Sequence, residues 1–309
     1  MKNALVVLAA ALLACACATT SHDTQKATLG VPRSTADMLA VIDQPGPATV
    51  ETVASADWQV TRAGLINLDN PKAKAAGLKD GDEPVQIFFH AIRHPTKGTF
   101  LVDTGVENAL RDHPDQAAIR GLVASAMHLE KMKFNAPLGD WLKAHPDVKP
   151  DGVLFTHLHL DHVAGAADLP ASTALYTGPN EASGRGFMNL FIQGNVDRAL
   201  AGKPATSELQ FQPDPSGRFD GVLDLFGDGS VWALWVPGHT PGSVAYVIRT
   251  PNGPVLLTGD ACHTRWGWDN DVEPGTFSDD PAQSRANLEK LRQLAAEHPK
   301  MEVRLGHQR

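Results

Sequence analysis

The chain has 309 residues, 42% hydrophobic and 20% charged, with 27 Lys and Arg against 35 Asp and Glu for a formal charge of −8. That much apolar material builds a full core and excludes a disordered chain, and the length suits one large domain or two small ones. The acidic balance offers no basic footprint for phosphates, which disfavours a nucleic-acid partner, and three cysteines are too few to staple a body of this size.

At the start, Lys2 precedes an apolar run over residues 4–14, shorter than the roughly twenty residues a membrane-spanning helix needs. A basic start, a short apolar centre and small residues after it predict an export signal over residues 1–18. Leu12-Leu13-Ala14-Cys15 resembles a bacterial lipobox, which would lipidate Cys15 and attach the protein to a membrane. Ala14-Cys15-Ala16 and Ala16-Cys17-Ala18 offer ordinary cleavage instead. Either way the expectation is an exported protein, in the periplasm or as an outer-membrane lipoprotein. Residues 19–56, rich in Thr, Ser, Ala, Pro and Gly with one short helical run at 35–42, read as a tether leading into the fold. Residues 57–309 read as one domain of catalytic size.

From Trp58 the texture changes to short apolar runs bounded by turn residues. They predict strands at 58–68, 85–92, 99–102, 153–155, 174–176, 231–236, 244–248, 255–257 and 303–305. Leu138, Trp141 and Leu142 share one face at helical spacing. The clearest helix covers 281–298. Asp280 can cap it, Pro281 suits its first turn, Leu288, Leu291 and Ala295 form its apolar stripe, and Pro299 closes it. Strands interleaved with helices mean a layered α/β architecture.

The chemistry is concentrated in Thr156-His157-Leu158-His159-Leu160-Asp161-His162, directly after an apolar run. Residues two apart at a strand's end point the same way, so His157 and His159 can face one ion, and a turn can swing Asp161 and His162 toward another. Imidazole with carboxylate is the ligand set of zinc and related divalent metals. Three later runs follow one grammar, an apolar strand, a glycine, then a potential ligand: Pro237-Gly238-His239, Thr258-Gly259-Asp260 and Gly306-His307. Each puts a metal-capable side chain at a strand's carboxyl end. Five histidines and two aspartates are too many for one tetrahedral ion with an open position. Two divalent ions, zinc foremost, sharing a carboxylate and a water use them all.

Together with Leu101-Val102-Asp103-Thr104-Gly105, these motifs resemble the metallo-β-lactamase superfamily over residues 59 to 309. The resemblance implies an αββα sandwich with metals at one edge. His157, His159 and His239 would take one ion, Asp161, His162 and His307 the other, with Asp260 bridging. The chemistry expected is attack on a carbonyl by a hydroxide held between the ions, with Asp161 passing a proton to the departing alkoxide.

Thr258 to His263, then Asp271-Val272-Glu273-Pro274-Gly275, are most similar to the N-acyl-homoserine-lactone lactonase branch. His159 argues against flavodiiron oxidoreductases, and a carboxylate at 260 argues against the zinc β-lactamases. Those lactonases usually carry Tyr three residues after the bridging Asp; this chain has His263, whose imidazole can donate to a developing oxyanion. Asp161 and His263 are therefore the candidate catalytic residues, and the expected substrate is a small lactone or ester. A β-lactam, aryl-ester or organophosphate hydrolase on the same scaffold is the enzymatic alternative; a non-catalytic metal-binding surface lipoprotein is the other.

Further expectations surround this site. Residues 187–192 with Met127, Met132 and Phe134 form either an acyl-chain wall or ordinary core. Trp266 and Trp268 wall a pocket or pack a loop. Cys262 is a small buried residue or an adventitious thiolate ligand. Asp103 orients a ligand histidine or stabilises a turn.

Overall fold

Residue parity decides which face each strand buries. In the computed structural model, which describes residues 17–186 and 188–309, parity sorts the apolar residues into an inner and two outer layers. One eight-stranded sheet runs β2 (Thr24–Lys26), β11 (Thr206–Glu208), β9 (Ala174–Thr177), β8 (Pro150–Leu154), β6 (Gly98–Val102), β5 (Asp82–His94), β4 (Thr49–Thr61) and β7 (Lys133–Phe134). Its first five strands are parallel and the rest antiparallel. The six-stranded sheet runs β16 (Glu302–Arg304), β15 (Gly253–Leu257), β14 (Val244–Thr250), β13 (Val231–Trp235), β12 (Gly221–Asp224) and β3 (Val31–Arg33). It is antiparallel except for the β15–β16 pair.

Ile92, Phe100, Val102 and Leu154 of the first sheet meet Val231, Ala233, Tyr246, Ile248 and Val255 of the second in one cluster between the sheets. Residues of the other parity, Ile87, Phe89, Ala91, Leu101 and Val153, face outward with residues of the helices Leu138–Ala144 and Asn189–Leu200. Trp232, Leu234, Val247 and Leu256 do the same under helices Thr35–Leu39 and Pro281–Glu297. Helix, sheet, sheet, helix is the αββα sandwich expected. Helix Pro281–Glu297 begins as its sequence indicates, with Asp280 Oδ1 accepting from Gln283 N at 3.0 Å and Pro281 in the first turn.

Residues 19–56 are not a tether. They supply β2 at the edge of one sheet, β3 at the edge of the other, a capped helix and the first part of β4. A boundary at 57 would cut β4 in two. The segment looks like a linker because β2 is exposed throughout and Ser34 and Asp37 are spent on a capping box. Its anchors Met38, Ile42 and Ala48 are fully buried but too sparse to show a period. The strand expected at 58–68 also differs: β4 ends at Thr61 and the chain turns into the one-turn helix Arg62–Leu65. The last two positions of the expected export signal form β1 (Cys17–Ala18), paired with β10 (Arg185–Gly186); the rest of that signal lies outside the described residues.

Candidate metal centre

Four strand ends converge at one edge of the sandwich. β8 runs parallel to β6 and β9, β15 runs parallel to β16, and β13 is antiparallel to a strand that is itself antiparallel to β15. Glycines let the ligand turns touch. Gly259 sits at φ 50°, where an added Cβ would lie 2.8 Å from Thr156 Cβ, and a Cβ on Gly306 would run into Asp260 Oδ1.

The structure brings His157, His159, His239 and Asp260 into one group of potential ligands and Asp161, His162 and His307 into a second. His239 Nε2 lies 2.9 Å from His159 Nδ1 and 3.2 Å from His157 Nε2. Ring nitrogens bound at zinc distances to one tetrahedral ion sit about 3.3 Å apart, so the spacing fits a shared cation. Asp260 Oδ2 stands between the groups, 3.4 Å from His239 Nε2, 3.7 Å from His157 Nε2, and 3.3 Å from both His162 Nε2 and His307 Nε2. Asp161 Oδ2 is 3.3 Å from His307 Nε2 and 3.7 Å from His162 Nε2. His159 and Asp161 are the partly exposed members, so the cluster opens on their side.

Outer partners set the tautomers. His162 Nδ1 donates to Asp103 Oδ2 at 2.8 Å and His307 Nδ1 donates to Gln86 O at 2.9 Å. A carboxylate or carbonyl oxygen only accepts, so each Nδ1 carries the proton and each Nε2 turns a lone pair inward. Asp103, in the left-handed region at φ 57°, also accepts from Thr156 N at 2.8 Å. It thus orients a ligand histidine and fixes the turn at once. His162 Nε2, His263 Nε2 and Asp260 Oδ1 are buried without a hydrogen-bond partner among the described residues. Orphaned acceptors around one point are the mark of a cation site.

Burial pushes His157 and His239 well below the ordinary imidazole range and His159 down to about 4, leaving them neutral as metal ligation requires. Burial also opposes charge on His162 and His307, but the surrounding carboxylates together raise both, Asp260 with Asp103 and Asp161 at His162 and Asp260 with Asp161 at His307. Asp260 is desolvated too, yet His307, His263 and His162 hold it well below the usual carboxylate range.

Glu181 escapes sequence reading. Buried after β9, it accepts from Leu158 N and Thr240 Oγ1, both at 2.7 Å, and from Gly242 N at 3.0 Å, clamping the His157 loop to the His239 loop. Nothing in its local pattern separates it from a solvated turn acid. His263 is not a surface residue: it is buried beside Asp260, with Nδ1 bonded to Leu65 O.

Met132 belongs to the core, with Met127, Phe134 and Ile192 packed against it, whereas Met188, Leu190 and Phe191 are exposed. Phe187 lies outside the described residues. Trp268 is core, Trp266 packs on the cluster of Val85 and Val272, and both sit in helix Arg265–Asn270. Cys262 is no thiolate ligand: burial pushes its thiol up to about 12, and Sγ donates to Thr264 O.

The family model for the metallo-beta-lactamase superfamily matches residues 82–307. The chain belongs to that superfamily. It is 32% identical over 222 residues to an N-acyl homoserine lactonase AttM of Agrobacterium fabrum, covering 70% of this chain and 80% of that one. It is 29% identical over 256 residues to a protein of the same name from Azorhizobium caulinodans, covering 80% and 92%. Among solved structures, a quorum-quenching N-acyl homoserine lactone lactonase aligns with TM-score 0.61 at 17% identity, over 86% of this chain and 94% of its own. The hydrolase AbOPH aligns with TM-score 0.54 at 16% identity over 92% of each chain. At such identity these two likenesses speak for the fold. The protein is a metal-dependent hydrolase of that superfamily, and the His/Asp cluster holds the residues that could bind a divalent metal.

Proposed function

We propose that the protein is an exported dinuclear hydrolase, loaded with two zinc ions, that opens small lactones of the N-acyl-homoserine type. The observation that carries the reading is the place of Asp260 Oδ2, within 3.7 Å of ring nitrogens from both ligand groups. Two triads flanking one carboxylate oxygen suit a pair of cations; a storage site for one ion would need half the donors. The kinship with lactonases supplies the substrate class.

Bound there, the ions supply Lewis acidity toward a carbonyl and an activated water. Asp260, whose Oδ2 lies near ring nitrogens of both groups, would be the ligand they have in common. Asp161, part-exposed on the open side, can move a proton at Oδ2 between the attacking and departing oxygens. Asp103 and Glu181 hold the ligand turns rigid through their buried hydrogen bonds. Neither Ser243 nor Cys262 serves as a nucleophile: Ser243 Oγ is occupied with Thr240 N at 3.0 Å, and the Cys262 thiol stays protonated.

Export rests on Lys2, the apolar run at 4–14 and the small residues after it. Cleavage after Ala18 would remove β1, whereas cleavage after Ala16 or lipidation at Cys15 would keep it. Metal content measured beside proton release on a lactone series tests the activity, because ring opening liberates a proton. Turnover of lactones above β-lactams, aryl esters and phosphotriesters is expected; two bound ions with no lactone turnover would overturn it.

A further inference from the structure

His263 sits at the position where the family resemblance leads to a tyrosine, and its surroundings give it a different task. Only 1% of the residue is exposed. Its Nδ1 lies 3.1 Å from Leu65 O, which can only accept, so the ring proton is on Nδ1 and Nε2 carries a bare lone pair. That lone pair faces Asp260 Oδ2 at 3.1 Å and has no hydrogen-bond partner among the described residues. Two acceptors at that distance repel, and a cation between them removes the conflict.

The ring is held to that direction. Leu65 is buried, and Glu273 fixes the segment that follows it, accepting from Asn70 Nδ2 at 2.8 Å while its carbonyl accepts from Asn67 N at 3.0 Å. His307 N donates to His263 O at 3.0 Å, the two imidazoles stack with planes 13° apart, and their Nε2 atoms approach the same Asp260 Oδ2, at 3.3 and 3.1 Å. Ligand atoms of Asp260, His263 and His307 lie within 4.8 Å of one another.

We infer that His263 is a further metal ligand, acting through Nε2 on the ion served by Asp161, His162 and His307. This rests on the dinuclear reading above. It also replaces the oxyanion-donor role expected from sequence, because Nδ1 is engaged with Leu65 O and an Nε2 bound to an ion has no proton to donate. The second ion then has five side chains to draw on, counting Asp260, against four for the first. A richer donor set suits a five-coordinate zinc ion, and equally cobalt, manganese or iron, which accept five or six ligands.

The test uses the full chain, stripped with a chelator and titrated with Co²⁺, for wild type, His263→Ala and His263→Asn. Stoichiometry and stepwise affinity come from competition with a chromophoric chelator, and the visible cobalt spectrum reports coordination at each step. Wild type should take two ions. In the variants the second step should weaken at least tenfold with an altered spectrum, the first step should hold, and added imidazole should restore the spectrum of His263→Ala. The asparagine amide keeps a donor toward Leu65 O in the place of Nδ1, lacks an atom at Nε2, and remains informative if the alanine variant does not fold. Two ions bound with unchanged affinity and spectrum in both variants would overturn the ligand role while leaving the dinuclear reading intact. Uptake of a single ion by wild type would overturn both.

Discussion

Asp103 Oδ2 accepts from His162 Nδ1 at 2.8 Å, and Asp103 Oδ1 accepts from Thr156 N at the same distance. One carboxylate therefore sets both the ring angle of a ligand and the turn that launches the His157 motif. Replacing Asp103 by Ala should weaken metal binding by about 10–100-fold, the range for outer-sphere partners of metal ligands. Chelator competition reads this directly; unchanged affinity would show that His162 finds its own orientation.

Gly306→Ala should strike the centre rather than the fold. The added methyl meets Asp260 Oδ1, while Gly306 N still donates to Cys262 O at 3.0 Å. Relief of that clash moves the carboxylate off its position between the ligand groups. Overpacking costs about 1–3 kcal/mol, so the chain should remain folded by circular dichroism while metal uptake collapses. Full metal uptake would show that Asp260 tolerates displacement.

Removing metal should destabilise the protein. The buried cluster keeps lone pairs on His162, His263 and Asp260 that no protein group satisfies among the described residues. An ion held at 100 times its dissociation constant contributes about 2.7 kcal/mol per site. The urea midpoint should fall on chelation and recover on adding Zn²⁺, and a midpoint indifferent to chelator would contradict the assignment.

A pH effect is expected far from the metals. Burial, with a smaller push from Asp168, raises Glu107 from about 4.5 to about 7, against the pull of the Ala118 N–H it accepts from. Between those values the folded chain keeps a proton that the unfolded chain has lost. Its stabilising contribution is thus complete below about 4.5 and fades as pH climbs to about 7. Urea midpoints of the chelated protein at both ends of that window should differ more for wild type than for Glu107→Gln. Equal slopes would remove Glu107 as the cause.

Glu181→Gln should loosen two ligand loops together. An amide of the same shape offers one oxygen where the carboxylate uses two, leaving Leu158 N or Gly242 N without an acceptor. A stranded buried donor costs about 1–3 kcal/mol. Lower thermal stability with weaker uptake of the ion at His157, His159 and His239 is the expected pair of results, and loss of stability alone would make Glu181 merely structural.

The ligand turns were legible because each couples an apolar strand to a Gly and a ligand-type residue, a pattern that survives without any knowledge of the fold. Helix Pro281–Glu297 was legible for a similar reason, with its cap, proline and stripe all local. What escaped depends on distant partners. β2 and β3 are short edge strands whose pairing residues lie far along the chain, such as Thr24 with Thr206 and Val31 with Asp224. Leu65 O and Gln86 O act through the backbone and have no side-chain signature. Glu181 looks like any turn acid until Leu158 and Thr240 are placed beside it.

The donors of the centre are spread from His157 to His307, across both sheets. Asp161 and His162 therefore lack their third partner until residue 307 has been made and β16 has docked. Completion of the site is a late event. Whichever divalent ions are plentiful where β16 finally docks would then decide the native occupant.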